Sequence, residues 1–298
     1  MSLLGRIRSS LETYGHPGRD SFEYLGLTVR DGELVSYRVY ENPTPGVAEE
    51  LRGRLPYRLL LGSLLSRFAA AGGVRVCDIS ESLAGTRERF RLVFTLDRSL
   101  SHADVELLLE AFFENLTLPA IAGALRRDAG ALARRFDMSI QPLQQIGVET
   151  DIHANVRIVK YYLNLTLDTG RRRVCDRGFI DHLKNAFEVN LEPQAGSLLE
   201  IAKHRYRPVF VGINQDAESC ERKLYFKSDA FGRQIEHVLP MSESLAERLG
   251  WEQVVSKEDL RALHELGLYL EGIASTLGRK DEWRLYFAYL PRWRIPGS

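Results

Sequence analysis

No charge of one sign dominates this chain. Forty lysines and arginines face forty aspartates and glutamates, a formal net charge of zero over 298 residues, so no global field recruits nucleic acid and no acidic excess makes a solvating tail. Cysteine is scarce. Cys77, Cys175 and Cys220 are an odd number at wide spacing, with no CxxC pair, which fits reduced thiols in a cytosol better than a disulfide framework. Long hydrophobic runs are missing as well: Leu107 to Phe113 is broken by Glu110 and is far shorter than the roughly 20 residues that cross a bilayer. The amino-terminal MSLLGRIRSS has no signal-peptide apolar core. The expectation is a soluble, cytoplasmic protein with no nucleic-acid or membrane partner.

The common chemical signatures are also absent. GxGxxG, GxxxxGK followed by Ser or Thr, HExxH and GxSxG do not occur, which removes the dinucleotide-binding, P-loop, zincin and serine-hydrolase readings. The seven histidines never fall at i,i+3 or i,i+4 spacing, and no DDxxD-like cluster exists to hold magnesium ions around a diphosphate. No residue is therefore assigned as a metal ligand. What remains is a 44% hydrophobic chain with ample material for a packed core.

One short pattern recurs five times: a basic residue within an alternating strand. The copies are SYRVYE around Arg38, RFRLVF around Arg91, IVKYYL around Lys160, ERKLYF around Lys223 and EWRLYF around Arg284. Four are preceded by a glycine 11 to 13 positions earlier: Gly26, Gly147, Gly212 and Gly272; Ile79 stands there in the second copy. A turn-rich stretch lies between glycine and cation, so each copy reads as a β-hairpin. Between hairpins the apolar period changes from 2 to 3.6 over Tyr57–Ala71, Ala103–Phe113 with Pro119–Phe136, Arg177–Phe187, and Leu245 onward through Glu258–Leu266. Ser101 and Ser256 stand where helix N-caps are expected.

On every second strand one face is apolar and the other carries a cation and, in four copies, a tyrosine two residues on. The polar faces hold Arg38 and Tyr40, Arg91, Lys160 and Tyr162, Lys223 and Tyr225, and Arg284 and Tyr286. A solvated sheet would explain any single copy, but five in step call for a shared interior. The expectation is an α+β fold: a ten-stranded antiparallel barrel ringed by helices, with all 298 residues in one domain and a lumen wide enough for a ligand. A cation ring inside low-dielectric walls calls for a multiply charged anion. Tyrosines beside it offer ring faces to a cation and hydroxyls to phosphate. The alternative is two α+β domains divided near Gly170–Val174.

The five hairpin-and-helix repeats resemble the ABBA prenyltransferases, whose fold is the ten-stranded PT barrel. Lys160-Tyr161-Tyr162 and Lys223-Leu224-Tyr225 resemble the Lys-x-Tyr signatures of the indole prenyltransferases in that superfamily. The spacing of Glu23 and Arg38 in FEYLGLTVRDGELVSYR, the third hairpin IGVETDIHANVRIVKYYLNL and the last strand DEWRLYF resemble the cyanobactin-type peptide prenyltransferases. Glu221 departs from the indole pattern, which has an arginine two residues before that lysine.

The resemblance implies an enzyme that ionises dimethylallyl or geranyl diphosphate and transfers the prenyl group to a side chain of a ribosomal peptide. Glu23 would be the base, and Arg38, Lys160, Lys223 and Arg284 would hold diphosphate; the repeat itself adds Arg91 to that set. Tyr40, Tyr162, Tyr225 and Tyr286 would shield the carbocation. Magnesium, held mainly by the diphosphate, is the implied cofactor. Two alternatives stand beside this one: the same fold prenylating a small aromatic or guanidine acceptor, and a non-catalytic barrel that binds an anionic or lipid-like ligand.

Overall fold

The computed structural model describes residues 22–41, 74–82, 89–96, 119–138, 143–150, 156–166, 173–216, 219–229 and 235–289, with a few single positions between 103 and 110. The ten strands are β1 (Phe22–Arg30), β2 (Glu33–Glu41), β3 (Val74–Ser82), β4 (Arg89–Leu96), β5 (Leu143–Thr150), β6 (Val156–Asn164), β7 (Tyr206–Gln215), β8 (Cys220–Ser228), β9 (Leu268–Thr276) and β10 (Glu282–Tyr289). Among the described residues five continuous α-helices lie between them: α1 (Pro119–Arg135), α2 (Arg177–Phe187), α3 (Glu192–Lys203), α4 (Val238–Leu249) and α5 (Lys257–Glu265). Each strand hydrogen-bonds antiparallel to its chain neighbours, and β1 pairs with both β2 and β10, so the ladder returns to its start as a closed barrel. Closure leaves no edge strand. β6 pairs directly with β7 across residues 165–205.

Alternation decides which way each strand faces. Leu25, Leu27 and Val29, then Val159, Tyr161 and Leu163, then Leu224 and Phe226, then Trp283, Leu285 and Phe287 are buried in the core. Against them pack Phe179, Ile180, Leu183 and Phe187 of α2, Leu198 and Ile201 of α3, Leu245 of α4, and Leu260 and Leu263 of α5. Burying each such side chain contributes about 1.5–3 kcal/mol. Polar anchors fix the outer layer. The Tyr161 hydroxyl donates to Asp128 of α1 at 3.1 Å, and Arg222 pairs with the same carboxylate at 3.3 Å. Burial and Asp128 together raise the Tyr161 phenol far above its ordinary value, so it remains a neutral donor.

The helix signals are local. Asp176 caps α2 by accepting from the Phe179 amide, and Ser256 with Asp259 forms a reciprocal capping box at α5. Helix α3 was not expected from the apolar period. It is a short helix whose proline at the first turn and buried Gln194 interrupt the pattern. Helix α4 begins at Val238, seven residues before the expected Leu245, because Pro240 sits in its first turn. The predicted helix over Tyr57–Ala71 and the Ser101 cap lie outside the described residues. Arg173 belongs to a run read as a solvated loop, yet it donates to the carbonyls of Leu165 and Phe136 and stacks over the Phe136 ring. No helix among the described residues is long and apolar enough to cross a membrane.

Candidate active site

The helix-facing contacts of Tyr161, Arg222 and Trp283 send their chain neighbours to the barrel interior. There the side chains fall into tiers about 7 Å apart along each strand, the rise of two residues. Toward the hairpin turns stand carboxylates: Glu149 on β5, Glu221 on β8 and Glu282 on β10. Next come the cations Lys160 on β6, Lys223 on β8 and Arg284 on β10. Tyr162, Tyr225 and Tyr286 follow on the same strands.

Strand tilt staggers these tiers around the barrel. Gly212 stands opposite both Tyr162 and Lys223, and Lys223 stands opposite Thr276. The recurring glycines now have a reason. Gly26, Gly147 and Gly212 are the direct cross-strand partners of Arg38, Lys160 and Lys223. A Cβ at Gly212 would lie 2.5 Å from the Tyr225 ring and 3.1 Å from that of Tyr162. In the fifth hairpin the partner of Arg284 is Ala274, and Gly272 faces Tyr286.

The cations are buried and paired. The Lys160 ammonium is 2.5 Å from Glu149, with both side chains only 3% exposed. Lys223, at 1% exposure, bonds to Glu221 and lies 3.8 Å from Glu282. Glu282 is a hub. It accepts from Arg30 at 3.1 Å, Arg279 at 2.9 Å and the Thr276 hydroxyl at 3.0 Å. Arg279 also lies 3.6 Å from Glu221, which accepts a further bond from Asn214 at 3.0 Å.

These neighbours set the charge states. Burial, then the Arg284 charge, depress Lys223 to about 8 despite Glu221 and Glu282. Burial alone would raise Glu282, but the Arg279 hydrogen bond and the Lys223 and Arg30 charges hold it at about 2. Glu221 is likewise held below its ordinary value: burial opposes, and the Lys223 charge and hydrogen bond prevail. At neutral pH Glu221 and Glu282 are ionised, and Lys223 is held well below the ordinary lysine range.

The aromatic tier is continuous. Ring centroids are 5.6 Å apart for Tyr162 and Tyr225 and 5.9 Å for Tyr225 and Tyr286, and the wall extends to Tyr24 at 6.4 Å and Phe210 at 6.5 Å. These are offset or edge geometries in the favourable range. Beyond the wall, Lys227 pairs with Glu271 at 2.9 Å and lies 6.0 Å over the Tyr24 ring.

Five of the ten sequence-predicted residues thus come together: Lys160, Lys223, Tyr162, Tyr225 and Tyr286. Arg284 joins them through its charge on Lys223 and Glu221. For Arg38, Tyr40, Arg91 and Glu23 the backbone alone is described. Arg38 is in register with Gly26, Tyr40 with Tyr24 and Arg91 with Glu149, and Glu23 falls at the irregularity between Phe22 and Tyr24. Sequence reasoning missed Glu149, Glu282, Arg30, Tyr24 and Phe210. Glu282 carried a signal, since it shares the alternation of Arg284; Glu149 could have been found as the residue two beyond the glycine opposite Lys160. Glu221, whose role stood open, is the partner of Lys223. Among the described residues no three His, Cys, Asp or Glu side chains come together as a metal site. The carboxylates instead face lysine and arginine.

No protein-family model matches the sequence, and no curated protein matches it. Solved structures do match in fold. The chain is similar to AnaPT from Neosartorya fischeri, with a TM-score of 0.55 and 16% identity, over 90% of this chain and 78% of that one. It is also similar to the NotF prenyltransferase, with a TM-score of 0.51 and 12% identity, over 90% of this chain and 80% of that one. At these identities the likeness establishes the barrel architecture that the two share with this chain.

Proposed function

We propose that this protein is a prenyltransferase that ionises an allylic diphosphate and alkylates a small aromatic acceptor. The observation that carries this reading is the tier of buried lysines, Lys160 and Lys223, set directly against a continuous aromatic wall. Diphosphate departure needs positive charge at the leaving oxygens, and the allyl cation left behind needs π-faces and no water. The two tiers supply these in adjacent layers about 7 Å apart along the strands.

In the reaction the allylic C–O bond breaks and diphosphate leaves with the electron pair. The aromatic acceptor then forms a bond to the allyl carbon and loses one proton to a carboxylate, the role implied for Glu23. Lys160, Lys223 and Arg284 hold the diphosphate, with Arg38 and Arg91 in register to extend the ring. Tyr162, Tyr225 and Tyr286, continued by Tyr24, shield the cation, and Tyr40 stands opposite Tyr24 on β2. Magnesium would be bound by the diphosphate oxygens, where it would offset the negative charge of the leaving group. A flat acceptor stacks on the same wall, which favours a small aromatic over the ribosomal peptide implied by the cyanobactin-type likeness.

The test is product mass after incubation with dimethylallyl diphosphate and tryptophan, tryptophan-containing cyclic dipeptides, phenols and short linear peptides. Transfer adds roughly 68 Da, the covalent increment of one C5 prenyl unit, and is lost in Lys160→Met and Lys223→Met. Products only on peptides would overturn the acceptor class. Tight diphosphate binding without product would support the non-catalytic ligand-binding barrel.

A further inference from the structure

The buried amide of Gln194 lies outside the barrel, yet it is bound to the turn that closes the donor end. The two hydrogens of its Nε2 are shared among the Ser275 hydroxyl at 3.0 Å, the Thr276 carbonyl at 2.8 Å and the Arg279 carbonyl at 3.1 Å. Its Oε1 accepts from the Gly278 amide at 2.7 Å. Gln194 has no exposed surface. Four contacts from one side chain to the five residues Ser275–Arg279, the end of β9 and the start of the turn, are more than packing requires. The turn needs such a clamp, because Gly278 takes a positive φ of 83° and the exposed tip has little apolar burial of its own.

What the clamp fixes is the root of Arg279. That guanidinium bonds to Glu282 at 2.9 Å and lies 3.6 Å from Glu221, and these are the two carboxylates that hold Lys223. Glu221 and Glu282 compete with any incoming diphosphate for the Lys223 ammonium. Arg279 draws them toward the turn. Around Lys223 the charged groups are Glu221 on its own strand, Glu282 and Arg284 on β10, Arg279 on the turn and Arg30 on β1 reaching Glu282.

We infer that Gln194 is a positioning residue for the donor site: by clamping the β9–β10 turn it keeps Arg279 on Glu221 and Glu282, so that the two carboxylates share their charge between Arg279 and Lys223 and yield the Lys223 ammonium more readily to diphosphate. This rests on the reading of the lysine tier as the diphosphate site. Without the clamp Arg279 swings away, the two carboxylates turn their full charge on Lys223, and diphosphate binds more weakly although no residue touching it has changed.

The experiment is calorimetric titration of the intact protein with dimethylallyl diphosphate, without acceptor, for wild type, Gln194→Ala, Arg279→Ala, the double variant and Lys223→Met. The expected result is about a tenfold weaker Kd for Gln194→Ala and for Arg279→Ala, as for other residues that orient a binding group. The double variant is no weaker than the weaker single one. Steady-state rates add the readout that general destabilisation would not give: the donor KM rises while the acceptor KM and kcat stay within about twofold. Ser275→Ala removes one clamp bond and carries the test where Gln194→Ala folds poorly; it should shift the donor Kd in the same direction by a smaller factor. An unchanged Kd in Gln194→Ala, or losses that multiply in the double variant, would overturn the role of Gln194. If Lys223→Met binds diphosphate as tightly as wild type, the donor-site reading itself falls.

Discussion

Glu149→Gln separates the two jobs of a lumenal carboxylate. Glu149 and Lys160 face each other at 2.5 Å, with 3% of either side chain exposed, so the variant leaves an ammonium in the barrel wall without its counterion. Removing one member of a buried ion pair costs about 3–5 kcal/mol, and the amide oxygen that remains can accept one hydrogen bond and return about 1 kcal/mol. The expected loss is therefore about 3 kcal/mol in urea denaturation at pH 7. Diphosphate affinity should move the other way. Glu149 competes for the ammonium that the diphosphate needs, so the variant binds dimethylallyl diphosphate more tightly than wild type and is stabilised more by saturating ligand. A paired replacement, Glu149→Leu with Lys160→Met, removes both charges and should recover stability to within about 1 kcal/mol of wild type while abolishing the gain in binding. A stability loss below about 1 kcal/mol in Glu149→Gln, or weaker rather than tighter diphosphate binding, would refute the counterion argument.

Burial and the Arg284 charge push Lys223 down to about 8, so its ammonium is expected to be present below that pH and lost above it. The Kd for dimethylallyl diphosphate should weaken by about tenfold per pH unit above 8, with proton uptake on binding, and Lys223→Arg should flatten that limb in calorimetry. Glu282, held at about 2, contributes stability that is present above its ordinary carboxylate range and is lost as pH falls from about 4.5 toward 2. That contribution amounts to about 3 kcal/mol, and acid denaturation of Glu282→Gln should lack it. Gly212→Ala drives a methyl to 2.5 Å from the Tyr225 ring. Overpacking of this kind costs about 1–3 kcal/mol, and the displaced ring should lower kcat; Tyr225→Leu added to it should restore stability but not turnover, as read by thermal melts and initial rates.

Much of the barrel was legible because its signal is local. A hairpin announces itself by alternation, a turn and a fixed glycine-to-cation distance, and Lys160, Lys223, Tyr162, Tyr225 and Tyr286 all stood on one face of such strands. The helices α2 and α5 were legible for the same reason, α2 from a 3.6 period and α5 from a 3.6 period with its Ser256 cap. The counterions were less so. Lys160 meets Glu149 across a hairpin, and Lys223 meets Glu282 across two strand boundaries and a turn. Which acid serves which base depends on the stagger of the closed barrel, and no spacing within one hairpin encodes that stagger. Gln194 was invisible for a similar reason: a lone glutamine in a weakly periodic helix becomes a clamp only when α3 docks beside the β9–β10 turn.

The paired lumen changes what a cation ring means. Unpaired, several lysines and arginines in a low-dielectric barrel would repel each other and cost several kcal/mol apiece; the fold would be unstable until ligand arrived. Glu149, Glu221 and Glu282 are internal counterions of Lys160 and Lys223, so on the proposed function diphosphate would bind by exchanging one set of anions for another rather than by rescuing a strained site. Exchange lowers intrinsic affinity, because each lysine gives up a carboxylate as it takes a phosphate oxygen. It would also give the proposed reaction a way out: once the allyl group has left, the carboxylates would reclaim Lys160 and Lys223 and help expel the free diphosphate. On this argument Glu149→Gln should bind both substrate and free diphosphate more tightly, and product inhibition by diphosphate should deepen with it.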